Sequence, residues 1–113
     1  MVLTLAMAVA LSGCATGVEK GLAAYNQGSF DQAAVEWNGP ALRGDPVAQH
    51  NLGLLWEHGY GSTPKNLNEA ANWYLRAAQQ GFVMAMVALA RVQLAMNNRV
   101  PGDCQEFRVW AGG

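Results

Sequence analysis

The sequence predicts an all-α protein, a short α-solenoid of antiparallel helix pairs with about five helices, and three observations carry that expectation. Apolar residues recur at spacings of three and four, as on one face of a helix, and not at the spacing of two that a strand would show. Glycine-bearing breaks such as Gly59-Tyr60-Gly61 and Gly81 divide these runs into segments of helix length. A shift of 37 positions then lays the chain on itself: Phe30 falls on Leu67, Ala33 and Ala34 on Ala70 and Ala71, Trp37 on Tyr74, and Ala41 on Ala78. The same shift carries Gly44 to Gly81, Ala48 to Ala85 and Leu52 to Leu89. A period of about 33 to 45 residues with two helices per unit marks a stack whose units bury their apolar faces against one another.

Taken in order, the first helix pair runs from about Val18 to Arg43. Pro40 lies inside its second helix and should kink or interrupt it after Asn38-Gly39, since proline donates no backbone hydrogen bond and crowds the preceding turn. Asp45 followed by Pro46 is suited to start the next helix, the carboxylate capping a free amide and the proline losing nothing at the first helical position. Ala48, Leu52, Leu55 and Trp56 give that helix its apolar face, and Gly59 stops it. A partner helix from about Asn66 carries Leu67, Ala70, Ala71, Tyr74 and Ala78, and Gly81 ends it. One more helix is expected from Phe82 to about Met96. The alanines let paired helices approach closely, while Trp37, Trp56, Trp73 and Tyr74 fill the space that remains.

The central unit resembles the Sel-one-like repeats (SLR), relatives of the tetratricopeptide repeats. The match rests on Ala48, Leu52, Gly53, Trp56, Gly59, Gly61, Ala70, Trp73, Tyr74, Ala77, Ala78 and Gly81. Departures are Trp56 for the usual tyrosine, Ser62-Thr63 where one valine is expected, and Asn66 for the usual aspartate. The resemblance covers one full repeat, a preceding tetratricopeptide-like pair and one further first-type helix. It implies a non-catalytic module that binds a protein or peptide. A cysteine-rich branch of the family is linked to β-lactam binding or hydrolysis and has a cysteine pair in each repeat. This chain has two cysteines in all, so that alternative is disfavoured. A truncated relict of a longer SLR protein is the remaining alternative, because no second-type helix with an Ala-x-x-Trp-Tyr pattern follows Met96 and solenoids need a capping element.

The first residues show a different pattern. An uncharged apolar run from Val2 to Leu11 is shorter than the roughly 20 residues of a membrane span and suits the core of a secretory signal. Leu11-Ser12-Gly13-Cys14 then resembles a bacterial lipobox, which implies removal of residues 1–13 and acylation of Cys14. The alternative is that Met1 to Gly13 forms a first helix of the fold. On the lipoprotein reading residues 14–20 are the lipidated N-terminus and tether, 21–98 the helical repeat domain and 99–113 an irregular tail. Ala15 in place of aspartate implies the periplasmic face of the outer membrane, held by acyl chains worth about 0.8 kcal/mol per buried methylene. With Cys14 acylated, Cys104 has no partner in the chain for a disulfide.

Seven basic and eight acidic residues without a run of like charge exclude a nucleic-acid footprint. No Ser-x-x-Lys, Gly-x-Ser-x-Gly or phosphate-binding glycine loop is present, and no catalytic residue or cofactor is expected. His50 and His58 stand two turns apart on one helix, roughly 12 Å at about 1.5 Å per residue, too far to share one zinc without other ligands, so no metal site is expected. Partner binding should use the face lined by the first helix of each unit, concave in tetratricopeptide-like stacks. There the positions not claimed by packing are Val47, His50, Leu54 and Glu57, then Met84, Val87, Arg91 and Leu94. These make a mixed apolar and charged groove suited to an extended peptide or a helix end in the cell envelope. Ordinary surface is the alternative.

Overall fold

The computed structural model describes residues 16–98. The expected leader 1–13, Cys14, Cys104, Trp110 and the expected tail 99–113 lie outside the described residues. Within these bounds the chain forms five α-helices and no strand: α1 (Gly17–Asn26), α2 (Phe30–Leu42), α3 (Pro46–His58), α4 (Leu67–Ala78) and α5 (Val83–Asn98). Each helix packs on its sequence neighbours, and α3 also touches α5, the pattern of a short stack of helix pairs.

Helix boundaries are set by local chemistry. Thr16 and Glu19 close a reciprocal capping box, so α1 starts at Gly17, inside the stretch 14–20 expected to be tether. Asp45 accepts from the amides of Val47 and Ala48 with Pro46 as the first helical residue, and Gly59 ends α3 in the left-handed region at φ 68°. Asn66 caps α4 through the Glu69 amide. Pro40 does not interrupt α2, which continues to Leu42. It sits in the last turn, so only one helical hydrogen bond is forfeited, that to the Glu36 carbonyl. This carbonyl faces the start of α1, where a Cβ on Gly17 would stand 2.8 Å from it.

The core has two apolar clusters. Ala24, Ala33, Trp37, Ala41, Ala48, Leu52 and Leu55 form the first, across α1, α2 and α3. Leu67, Ala70, Tyr74, Ala88 and Val92 form the second, across α4 and α5. Of the expected core tryptophans Trp37 is fully buried, while Trp56 and Trp73 are half-buried and link the clusters: Trp73 of α4 packs on the first and Trp56 of α3 on the second. Arg76 covers Trp73, its guanidinium 4.8 Å from the ring centre.

The register of 37 is kept in space, Ala33 and Ala70 both being fully buried and Trp37 and Tyr74 holding the centres of the two pairs. Each ring lies directly against a glycine on the facing first helix. A Cβ on Gly21 would run into the Trp37 indole, and one on Gly53 would stand 2.5 Å from the Tyr74 ring. Both polar tips are satisfied. Trp37 Nε1 donates to the Val18 carbonyl at 3.0 Å, and Tyr74 Oη donates to Glu57 at 2.7 Å.

The pairs are joined differently. Three residues connect α1 to α2, whereas residues 59–66 connect α3 to α4. The longer loop is fastened to the preceding pair: Ser62 donates from its amide to Asp31 Oδ1 at 2.7 Å and from its hydroxyl to Oδ2 at 2.9 Å. Those two bonds hold the Asp31 carboxyl below its ordinary range. Tyr60 stacks on Phe30 at 4.6 Å between centroids, completing the anchor.

Candidate functional site

The eight expected groove residues occupy four equivalent pairs in the register of 37, and the structure sorts them onto two faces. At seven-residue spacing Val47 shares the side of α3 that carries Leu54, and Met84 the side of α5 that carries Arg91, and these two sides make the α3–α5 face. Val47 and Met84 are exposed there, and Leu54 packs on the cluster that contains Ala88 and Val92 of α5. His50 with Val87, and Glu57 with Leu94, belong to the side on which α4 packs against α3. His50 and Glu57 are accordingly 7% and 9% exposed, whereas Val87 and Leu94 are 60% and 63% exposed because no described helix covers that side of α5. The expectation that His50 and Glu57 face open groove is therefore corrected: both are packed between helices.

Glu57 ties three helices together. Its Oε1 accepts from Tyr74 Oη of α4 at 2.7 Å and from Arg91 Nη2 of α5 at 2.7 Å, and its Oε2 accepts from Arg91 Nε at 2.8 Å. Burial works against ionisation, but the donors Arg91 and Tyr74 outweigh it and hold the carboxyl below its ordinary range. Burial and the Glu57 acceptor push the Tyr74 phenol up, and the same carboxylate raises Arg91. Both oxygens being occupied, Glu57 acts as a structural tie and is not a free acid. The acid and the base expected in the groove are in fact each other's partners, and half of the Arg91 side chain still reaches solvent.

His50 lies between two rings, tilted against Tyr74 at 5.4 Å and edge-to-face with Phe82 at 5.5 Å between centroids, with Nδ1 3.3 Å from Asn51 Oδ1. Burial pushes its imidazole down more than the Asn51 bond raises it. His58 is exposed and stacks on Tyr60, so the two histidines share no site. Among the described residues no three His, Cys, Asp or Glu side chains gather as metal ligands. Gln49 completes the buried polar set, donating to the Ala41 carbonyl at 3.0 Å and accepting from Gln80 at 2.9 Å.

Sequence spacing missed Tyr74 as the donor that fixes Glu57, although an aromatic with a hydroxyl in a core position signals the need for a buried partner. It also missed the Asp31 to Ser62 clamp, whose members are far apart in the chain and carry no local pattern.

The signs of these shifts set a pH dependence. Both His50 and Glu57 bind protons less readily in the folded than in the unfolded chain, so stability is full above their unfolded values and is lost on acidification. The loss begins below about pH 6.5 through His50 and deepens below about pH 4.5 through Glu57. Urea midpoints measured from pH 8 to 3 should fall in those two stages. His50→Gln should remove the upper stage alone; a variant with the wild-type profile would show that His50 does not carry it.

Residues 46–82 match the family model of the Sel1 repeat. The match starts at the first residue of α3 and ends just before α5, so it spans the α3–α4 pair and its loop, about a third of the chain. This segment is similar to a repeat type associated with protein–protein interaction. No curated protein and no solved structure matches the chain. None of the described helices is long and apolar enough to cross a membrane.

Proposed function

We propose that the protein is a non-catalytic interaction module that holds an extended peptide, or the end of a helix, from a cell-envelope protein on the α3–α5 face. The observation that carries this reading is the exposure of apolar Val47 and Met84 on that face together with the half-exposed Arg91. Such a surface offers side-chain contacts to a short segment and one guanidinium to a carboxylate or a carbonyl of the ligand. Because Glu57 fixes Arg91 by two hydrogen bonds, the guanidinium is pre-oriented and loses little freedom on binding. The similarity of residues 46–82 to a Sel1 repeat supports a protein partner.

Anchoring through an acylated Cys14 at the periplasmic face of the outer membrane belongs to the same proposal, and its support is the lipobox-like Leu11-Ser12-Gly13-Cys14. Mass spectrometry of the mature N-terminus tests it, an unmodified Met1 being the result that removes the anchor.

The binding face is tested with Val47→Asp and Met84→Asp together. These positions are exposed, so helical content should be unchanged, while affinity capture of the partner from the envelope fraction should be lost. Undiminished capture by the double variant would sink the assignment. Arg91 is a poorer probe because its removal leaves Glu57 buried without its main donor, which confounds binding with stability.

A further inference from the structure

The side of α5 equivalent to the α4-facing side of α3 is apolar and uncovered among the described residues. Gln49, His50, Gly53 and Glu57 are buried on α3, and the residues at the same register on α5 are Met86, Val87, Ala90 and Leu94, all exposed. Three positions that need polar partners on α3 are thus apolar on α5, and the fourth, the glycine against which the Tyr74 ring rests, is replaced by the next smallest side chain. The internal repeat shows what shape covers such a side, namely a short helix placed as α4 is on α3.

We propose that residues 104–110, Cys-Gln-Glu-Phe-Arg-Val-Trp, lie across this side of α5 and cover Val87, Ala90 and Leu94. Three features of the chain favour this occupant. Leu67, the first residue of α4, falls on Cys104 in the register of 37, so the segment begins where such a helix would begin. The connection also fits: α5 ends at Asn98, three positions beyond the register equivalent of His58, and a segment starting at Cys104 would leave residues 99–103 as a connection three residues shorter than residues 59–66. Five residues span up to roughly 16 Å, enough to cross the 8–10 Å between packed helix axes, and Pro101-Gly102 suits the reversal. Finally, Cys104, Phe107 and Trp110 recur at intervals of three and would share one side of a two-turn helix, with Gln105, Glu106 and Arg108 turned elsewhere. A helix of about two turns is unstable alone, so its order depends on the face it meets. In the register of 37 Phe107 falls on Ala70, Trp110 on Trp73 and Ala111 on Tyr74, so a ring from Phe107 or Trp110 against Ala90 would take the place of the Tyr74 contact with Gly53 from a neighbouring position.

The test is hydrogen exchange by mass spectrometry on the full chain and on the double variant Phe107→Ser, Trp110→Ser, with far-UV circular dichroism to confirm that the helices persist. Exchange across α5 should be about tenfold faster in the variant, while α1 and α2 are unchanged. Ala90→Arg, which places a charge under the segment, should in turn accelerate exchange over residues 104–110. Equal exchange of α5 in wild type and double variant would overturn the proposal. So would protection of α5 that vanishes on dilution in step with a dimer-to-monomer transition in sedimentation, since a second copy would then be the cover.

Discussion

Trp37→Ala is expected to cost about 3–5 kcal/mol and to lower the thermal midpoint by roughly 20 °C. The indole is 1% exposed at the meeting point of α1, α2 and α3, so truncation removes its apolar contacts and opens a void that neighbouring alanines are too short to fill. Its Nε1 bond to the Val18 carbonyl is lost as well, which loosens the first turn of α1. Domains of this size are held by about 5–15 kcal/mol in all, so the variant should stand at the edge of folding at 37 °C. Chemical denaturation followed by circular dichroism measures the loss. A decrease below about 1 kcal/mol would show that the first pair does not depend on this ring.

Gly53→Val is expected to cost about 3 kcal/mol, although it replaces the poorest helix former after proline with a better one. Propensity alone would make the change favourable. The opposing effect is steric, because the first added carbon would stand 2.5 Å from Cε1 of Tyr74, a fully buried ring that cannot move aside. Displacing the ring would also break its bond to Glu57 and disturb the bidentate pair with Arg91. A double-mutant cycle separates these effects: with Tyr74→Ala in place, Gly53→Ala should be neutral or stabilising, whereas in the wild-type background it should be destabilising by about 1–3 kcal/mol. Additive costs in the two backgrounds would rule out the contact as the cause.

The helical architecture was readable because it is written in local and periodic terms. Asp45-Pro46 starts α3, Gly59 stops it, and the alanines at matched register mark the close approaches of both pairs. Even the Thr16 and Glu19 capping box has a sequence pattern, so the early start of α1 was available to spacing. Pro40 does not interrupt α2 because its effect depends on position: one residue type breaks a helix at its middle and is tolerated in its last turn. The groove was half legible. Spacing identified which side of α3 differs from its core stripe, but it does not tell a side that meets solvent from a side that meets a helix arriving later in the chain. His50 and Glu57 look like surface residues by type, and only the arrival of Tyr74, Phe82 and Arg91 makes them interior.

Contacts concentrated between sequence neighbours, with the α3 to α5 step added to them, also govern how the chain reaches its folded form. Every such interface closes a short loop, so little entropy is spent before packing rewards it. Neither pair must wait for the other. In such a stack assembly can begin in whichever of the two forms first and spread along the chain as Asp31 catches Ser62, Gln49 the Ala41 carbonyl and Glu57 Arg91, polar links that join each pair to the next part of the stack.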